Sequence, residues 1–88
     1  MTLDYPRLLP NGDAAVSIEF GNSIDTEVNA SVLALDHAVQ QAGMLGVIET
    51  VPTYRALMVH LDPLKADHSR LFDALLHLAR RALPQSGV

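Results

Sequence analysis

The apolar positions of this chain fall into six short patterns, and each has the period of one secondary-structure element. From Ala14 to Phe20 the alternation is strict, with Val16, Ile18 and Phe20 on one side and Ala15, Ser17 and Glu19 on the other, which predicts a half-buried strand. Asn11-Gly12-Asp13 just before it is turn chemistry, because Asn and Gly accept positive φ and an Asx side chain can bond the backbone ahead. Leu8-Leu9 therefore reads as a short first strand hairpinned onto the second. Pro6 and Pro10 at its ends remove ladder donors, which places it at a sheet edge. Asp25 is a suitable N-cap, Glu27 follows in the first turn, and Val28, Val32, Leu35, Val39 and Ala42 recur at helical spacing. Asn29, Asp36-His37 and Gln40-Gln41 form the wet side of that helix, and Gly43 closes it.

The second half carries a second hairpin and a second helix, without an internal repeat in the sequence. Val47 to Val51 and Ala56 to Leu61 are rich in β-branched and large apolar residues, with Pro52-Thr53 between them as the reversal. In the later strand Leu57, Val59 and Leu61 share one face, while Ala56, Met58 and His60 share the other. Asp62-Pro63 ends it, Asp67 caps a second helix, and Leu71, Phe72, Leu75, Leu76, Leu78, Ala79 and Leu83 give that helix a broad apolar stripe ended by Pro84. With a right-handed crossover both helices cover one face of the sheet, giving an α+β fold of ββαββα order: an antiparallel four-stranded sheet, spatial order 1-2-4-3, with two helices on one face. This is a ferredoxin-like variant in which the first hairpin strand takes the place of a strand after the last helix.

Composition narrows the picture. Eighty-eight residues support one core, so residues 1–83 read as a single domain and 84–88 as a tail or linker. The chain is 49% apolar with two Phe, two Tyr and no Trp, so Leu, Val, Ile and Ala must build the core. A net charge of −4, with no Lys/Arg cluster beyond Arg80-Arg81, offers no footprint for nucleic acid or an anionic membrane. Without cysteine there is no disulfide, thiolate nucleophile or sulfur-ligated zinc. Met1 to Pro10 carries Asp4, Arg7 and two prolines rather than a signal-peptide run, and no segment approaches the ~18 apolar residues of a membrane span. The expectation is a cytoplasmic protein.

Catalytic constellations are scarce. The sequence has no phosphate-cradling glycine loop, no nucleophile elbow and no paired-histidine helix motif. His37, His60, His68 and His77 are scattered, and Asp73 with His77, one helical turn apart, suits a solvated ion pair better than a metal site. The expectation is no metal and no cofactor in this chain. The candidates for ligand or partner binding are Asp13, Glu19, Tyr54, Arg55 and His60. Asp13 sits in a loop that either faces a ligand or only turns the hairpin, and Glu19 is a base or a solvated strand charge. Arg55, read as starting a strand after a Pro-containing turn beside Tyr54, holds a rigid fork of donors suited to a carboxylate or phosphate, or else forms a surface ion pair. His60 lies on the less buried strand face, where it is functional or simply half-exposed.

Two stretches together carry a family resemblance. Gly12-Asp13-Ala14-Ala15-Val16-Ser17-Ile18-Glu19-Phe20-Gly21 and Val51-Pro52-Thr53-Tyr54-Arg55-Ala56-Leu57-Met58-Val59-His60-Leu61-Asp62-Pro63 are similar to the two motifs that open the allophanate hydrolase subunit 1 family, also called KipI-like or the B component of 5-oxoprolinase. Ile24-Asp25, the Val32-Leu33-Ala34-Leu35 helix and Gly46-Val47 keep its spacing, so the resemblance covers nearly all of residues 6–83. Ala56 and Leu61 stand where a Ser and a Tyr are common in that family. The resemblance implies an accessory domain of an ATP-dependent hydrolase complex that opens 5-oxoproline to glutamate. The complex uses the ATP, an allophanate hydrolase subunit 2-type protein is the partner, and the isolated chain is not catalytic. Members continue into a cyclophilin-like domain, which the tail would join. Related segments occur inside urea amidolyase-type enzymes, and one Bacillus-type relative inhibits a sporulation histidine kinase, so a regulatory binding domain is the alternative and a structural interaction module a third. The sheet face carrying Ala15, Ser17, Glu19, Ala56, Met58 and His60 is too apolar to be comfortably wet, so weak self-association through it or through a sheet edge is expected.

Overall fold

The computed structural model describes residues 5–21 and 26–83. Its elements are β1 (Arg7–Pro10), β2 (Ala15–Glu19), α1 (Thr26–Ala42), β3 (Val47–Pro52), β4 (Ala56–Leu61) and α2 (His68–Arg81). All strand pairs are antiparallel and the sheet order is β1-β2-β4-β3, the arrangement expected from the sequence. Val16 and Ile18 of β2 and Leu57, Val59 and Leu61 of β4 point to the helix side and are buried. They meet Val32, Leu35 and Val39 of α1 and Leu71, Leu75 and Ala79 of α2 in one aliphatic core, to which Phe20 adds the one buried aromatic side chain among the described residues.

Two details of α1 differ from its sequence pattern. Ala42 is exposed, because the helix ends there and the chain turns away at Gly43 with φ 57°. Ser31 is buried instead, beside Val32. The Asp25 cap, Ile24 and Pro84 lie outside the described residues.

The first hairpin closes as its turn residues require: the Asn11 N–H donates to the Ala15 carbonyl at 2.9 Å, and Gly12 takes φ 72°. The second reverses later than Pro52-Thr53. Pro52 still belongs to β3, paired with Leu57, and the Thr53 N–H donates to the Ala56 carbonyl at 2.8 Å, so the loop residues are Tyr54 and Arg55. Neither has positive φ, so this is not one of the mirror-image turns that fit two-residue hairpins best. The Thr53 hydroxyl supplies extra closure, donating to the Ala56 carbonyl at 3.0 Å and accepting the Ala56 N–H at 3.1 Å. Upstream, β3 carries a bulge between Val47 and Glu49 that leaves Ile48 unpaired with β4 and 64% exposed.

Both sheet edges are blunted by proline. Antiparallel pairs alternate between bonded and non-bonded positions. Because Asn11 bonds Ala15, the backbone groups of residues 6, 8 and 10 point away from β2. Two of those three positions are Pro6 and Pro10, leaving Leu8 as the only N–H among them. On the opposite edge the same alternation turns Thr50 and Pro52 outward, and the Ile48 bulge interrupts the run. Strand addition to either edge is thereby restricted.

At the start of α2, Asp67 has extended backbone (φ −89°, ψ 100°) and its carboxylate accepts the Arg70 N–H at 3.2 Å. Asp67→Ala is expected to destabilise the domain by about 1 kcal/mol, seen as a lower urea midpoint at constant slope. An unchanged midpoint would mean that packing alone fixes this helix start. Among the described residues no helix is long and apolar enough to cross a membrane.

Candidate docking face and its flanking turns

The two stretches that dominate the sequence signal, residues 12–21 and 51–63, contribute β2 and β4, which pair at the centre of the sheet with Ala15 opposite His60, Ser17 opposite Met58 and Glu19 opposite Ala56. Those six side chains lie on the face without helices and are all half-buried. The outer strands extend the rows. Leu9 lies opposite Ser17 and Val51 opposite Met58, so a row Leu9, Ser17, Met58, Val51 crosses the middle of the face, with Leu9 39% and Val51 43% exposed. Polar contacts hold this row. Asn11 Nδ2 donates to Ser17 Oγ at 3.0 Å, and the Ser17 hydroxyl donates to Met58 Sδ at 3.6 Å.

Polar residues flank the row on both sides. Beyond it toward the β3–β4 turn, Arg7 Nε donates to Glu19 Oε1 at 3.0 Å, and the Arg7 guanidinium lies 5.1 Å from the centre of the Tyr5 ring. Glu19 is thus a strand carboxylate held in an ion pair with Arg7. On the other side of the row, His60 and Glu49 are cross-strand neighbours on the same face.

The five candidate residues do not converge on one site. Glu19, Tyr54 and Arg55 gather where the Phe20 N–H donates to the Arg55 carbonyl at 2.9 Å. Asp13 and His60 lie at the opposite end, where the Leu61 N–H donates to the Ala14 carbonyl at 2.8 Å. The length of β2 separates the two groups by about 13 Å along the sheet. Arg55 does not begin a strand as its sequence context suggests; it is the second loop residue of the hairpin and is exposed, with β4 starting at Ala56. The physical reason is Pro52, whose missing N–H is harmless at the outward position of an edge strand, so β3 runs through it.

Tyr54, 67% exposed, rims a shallow groove between the hairpin and α1 that Asn29, Leu33, Pro52 and Thr53 also line. In the sequence Leu33 is an apolar residue off the Val28-Val32-Leu35-Val39 stripe, and its 51% exposure makes it part of a surface rather than of the core. Asp13 engages through its backbone: its carbonyl meets His68 Nε2 at 2.8 Å, while the His68 ring stands edge-on to Phe72 at 5.7 Å. That contact ties the first hairpin to α2. Asp36, on the wet side of α1, accepts bonds from Gln40 at 2.9 Å and from the Thr50 hydroxyl, joining α1 to β3. Asp73 and His77 are exposed and form no ion pair among the described residues, as is common for side chains that lose more rotamer freedom than a screened attraction returns. Among the described residues no group of His, Asp or Glu could hold a metal ion.

A comparison with curated proteins finds no significant match. Among solved structures, the conserved uncharacterized protein PH0987 from Pyrococcus horikoshii is 34% identical with a TM-score of 0.79, covering 86% of this chain and 35% of that one. The Kluyveromyces lactis urea amidolyase and urea carboxylase share the fold at 19% identity each, with TM-scores of 0.79 and 0.78 over 89% of this chain and 5% and 7% of theirs. The chain therefore spans about a third of the first protein and under a tenth of the other two, in all of which its fold is one part of a longer polypeptide. The family model of the carboxyltransferase domain, subdomain C and D, matches residues 6–87, and the chain belongs to that family.

Proposed function

We propose that this chain is an accessory domain of a protein of the allophanate hydrolase subunit 1 type, the B component of a complex that opens 5-oxoproline to glutamate with ATP in the cytoplasm. The observation that carries the reading is the pairing of β2 with β4: the two blocks resembling the allophanate hydrolase subunit 1 family form one central ladder and supply one continuous open face. The apolar row of that face docks against the rest of the assembly, a subunit 2-type partner included. Tyr54 and Arg55, on the exposed turn at its margin, reach the same partner or a carboxylate ligand through the guanidinium fork. Asp13 and His60 stand at the far end of the face as a second contact. ATP is handled by the partner proteins.

The chain alone is expected to turn over neither ATP nor 5-oxoproline. Joined to the remaining part of a subunit 1-type protein and mixed with a subunit 2-type partner and the third protein of such a complex, it should support ATP-dependent glutamate release. In that assay Arg55→Ala should lower turnover severalfold while changing stability by no more than ~0.5 kcal/mol, as is usual for a surface site. Lost stability with intact turnover would make Arg55 a folding residue, and no glutamate in any combination would reject the proposed activity.

A further inference from the structure

We propose that Asn11 is a site of spontaneous deamidation on the docking face, and that the Ser17 hydroxyl sets its rate. Asn11 is the only asparagine in the sequence followed by glycine. Glycine is the neighbour that least hinders attack by the following backbone nitrogen, and space around Gly12 is open, with nothing within 4 Å of where a Cβ would lie. Both residues are exposed at the hairpin tip, where water and base reach them.

The reaction needs no reagent other than water and base. The Gly12 backbone nitrogen loses its proton and attacks Asn11 Cγ. A C–N bond forms, the Cγ–Nδ2 bond breaks, and ammonia leaves with the proton. Water then opens the cyclic imide at either carbonyl, leaving an aspartyl or an isoaspartyl residue.

What restrains this is the contact that holds the middle of the open face. Asn11 Nδ2 donates to Ser17 Oγ at 3.0 Å and lies 3.8 Å from Met58 Sδ, while the Asn11 N–H is held by the Ala15 carbonyl at 2.9 Å. A carboxamide anchored across the sheet must let go before Cγ can turn to its own backbone. Conversion then replaces a neutral donor beside Ser17 and Met58 with a negative charge. The isoaspartyl product also lengthens the main chain inside the hairpin, where Pro10 pairs with Val16.

The test is incubation of the whole chain at neutral and mildly alkaline pH, followed by peptide mapping with isoaspartate detection. A synthetic peptide spanning Leu9 to Asp13 serves as the unrestrained reference. Asn11 in the folded chain should convert more slowly than in the peptide and faster as pH rises. Ser17→Ala should speed conversion severalfold, while Ser17→Thr, which keeps the hydroxyl, should hold the parent rate. No conversion in the folded parent after the peptide has fully converted would overturn the site. Equal rates in the parent and Ser17→Ala, with both folded by circular dichroism, would overturn the role of Ser17.

Discussion

Gly46→Ala is expected to destabilise the domain by about 2–5 kcal/mol, more than its small size suggests. Gly46 has φ 93°, a conformation that L side chains rarely adopt, and an added Cβ would lie 2.7 Å from both Cα and Cβ of Ala66 and 2.9 Å from its nitrogen. Ala66 cannot step aside cheaply. Its N–H donates to the Asp62 carbonyl at 2.9 Å, and the Asp62 N–H in turn donates to the Gly46 carbonyl at 2.8 Å, so the three residues form one locked crossing between the α1–β3 loop and the turn that launches α2. Gly43→Ala is the matched control. Gly43 also has positive φ, 57°, but open space around it, so it carries only the backbone penalty of about 1–2 kcal/mol. Urea unfolding of the two variants should give the larger loss at Gly46, and equal losses would show that the turn at Ala66 yields freely.

That crossing illustrates what the sequence could and could not reveal. The six elements and the covered face were legible because β2 and β4 alternate strictly and the apolar stripes of both helices are broad; Val16, Ile18, Leu57, Val59 and Leu61 are all buried as that alternation requires. Gly46 gave no comparable signal, since the close approach that adds to its positive φ comes from Ala66, which is distant in the chain. The bulge at Ile48 was hidden too. Val47-Ile48-Glu49-Thr50-Val51 has the composition of an uninterrupted strand, and only pairing with β4 reveals the extra residue. The Asp36 to Thr50 bond depends on how α1 lies across β3, which no local period encodes.

For the candidate site the limit was register. Each of Asp13, Glu19, Tyr54, Arg55 and His60 was visible as a polar or aromatic residue at a turn or on the open face. Their division into two groups follows from Glu19 facing Ala56 and Ala15 facing His60, and that offset depends on where the second hairpin turns. A reversal at Pro52-Thr53 would put Arg55 in the strand rather than in the loop. Proline breaks a central strand but is tolerated on an edge, so the turn is misplaced for as long as β3 is not known to be an edge strand.

Leu57→Ala is the substitution expected to bring the domain closest to unfolding. Leu57 is fully buried in β4, paired with Ile18 on one side and Pro52 on the other, on the side of the strand that α1 covers. Truncating a buried leucine removes its transfer free energy and leaves a cavity, a loss of about 2–5 kcal/mol. A domain of this size has roughly 4–13 kcal/mol to lose, and with an aliphatic core this small the lower part of that range applies. The neighbouring residue supplies an internal comparison, because Met58 belongs to the same strand but points to the open face, where it is half-buried. Met58→Ala should cost about 1 kcal/mol or less. Urea unfolding followed by circular dichroism should therefore give a much lower midpoint for Leu57→Ala than for Met58→Ala, with a sizeable unfolded population of the former before any denaturant is added. Equal losses from the two variants would mean that both faces of β4 are covered to the same degree, and the open face would lose its standing as the proposed docking surface.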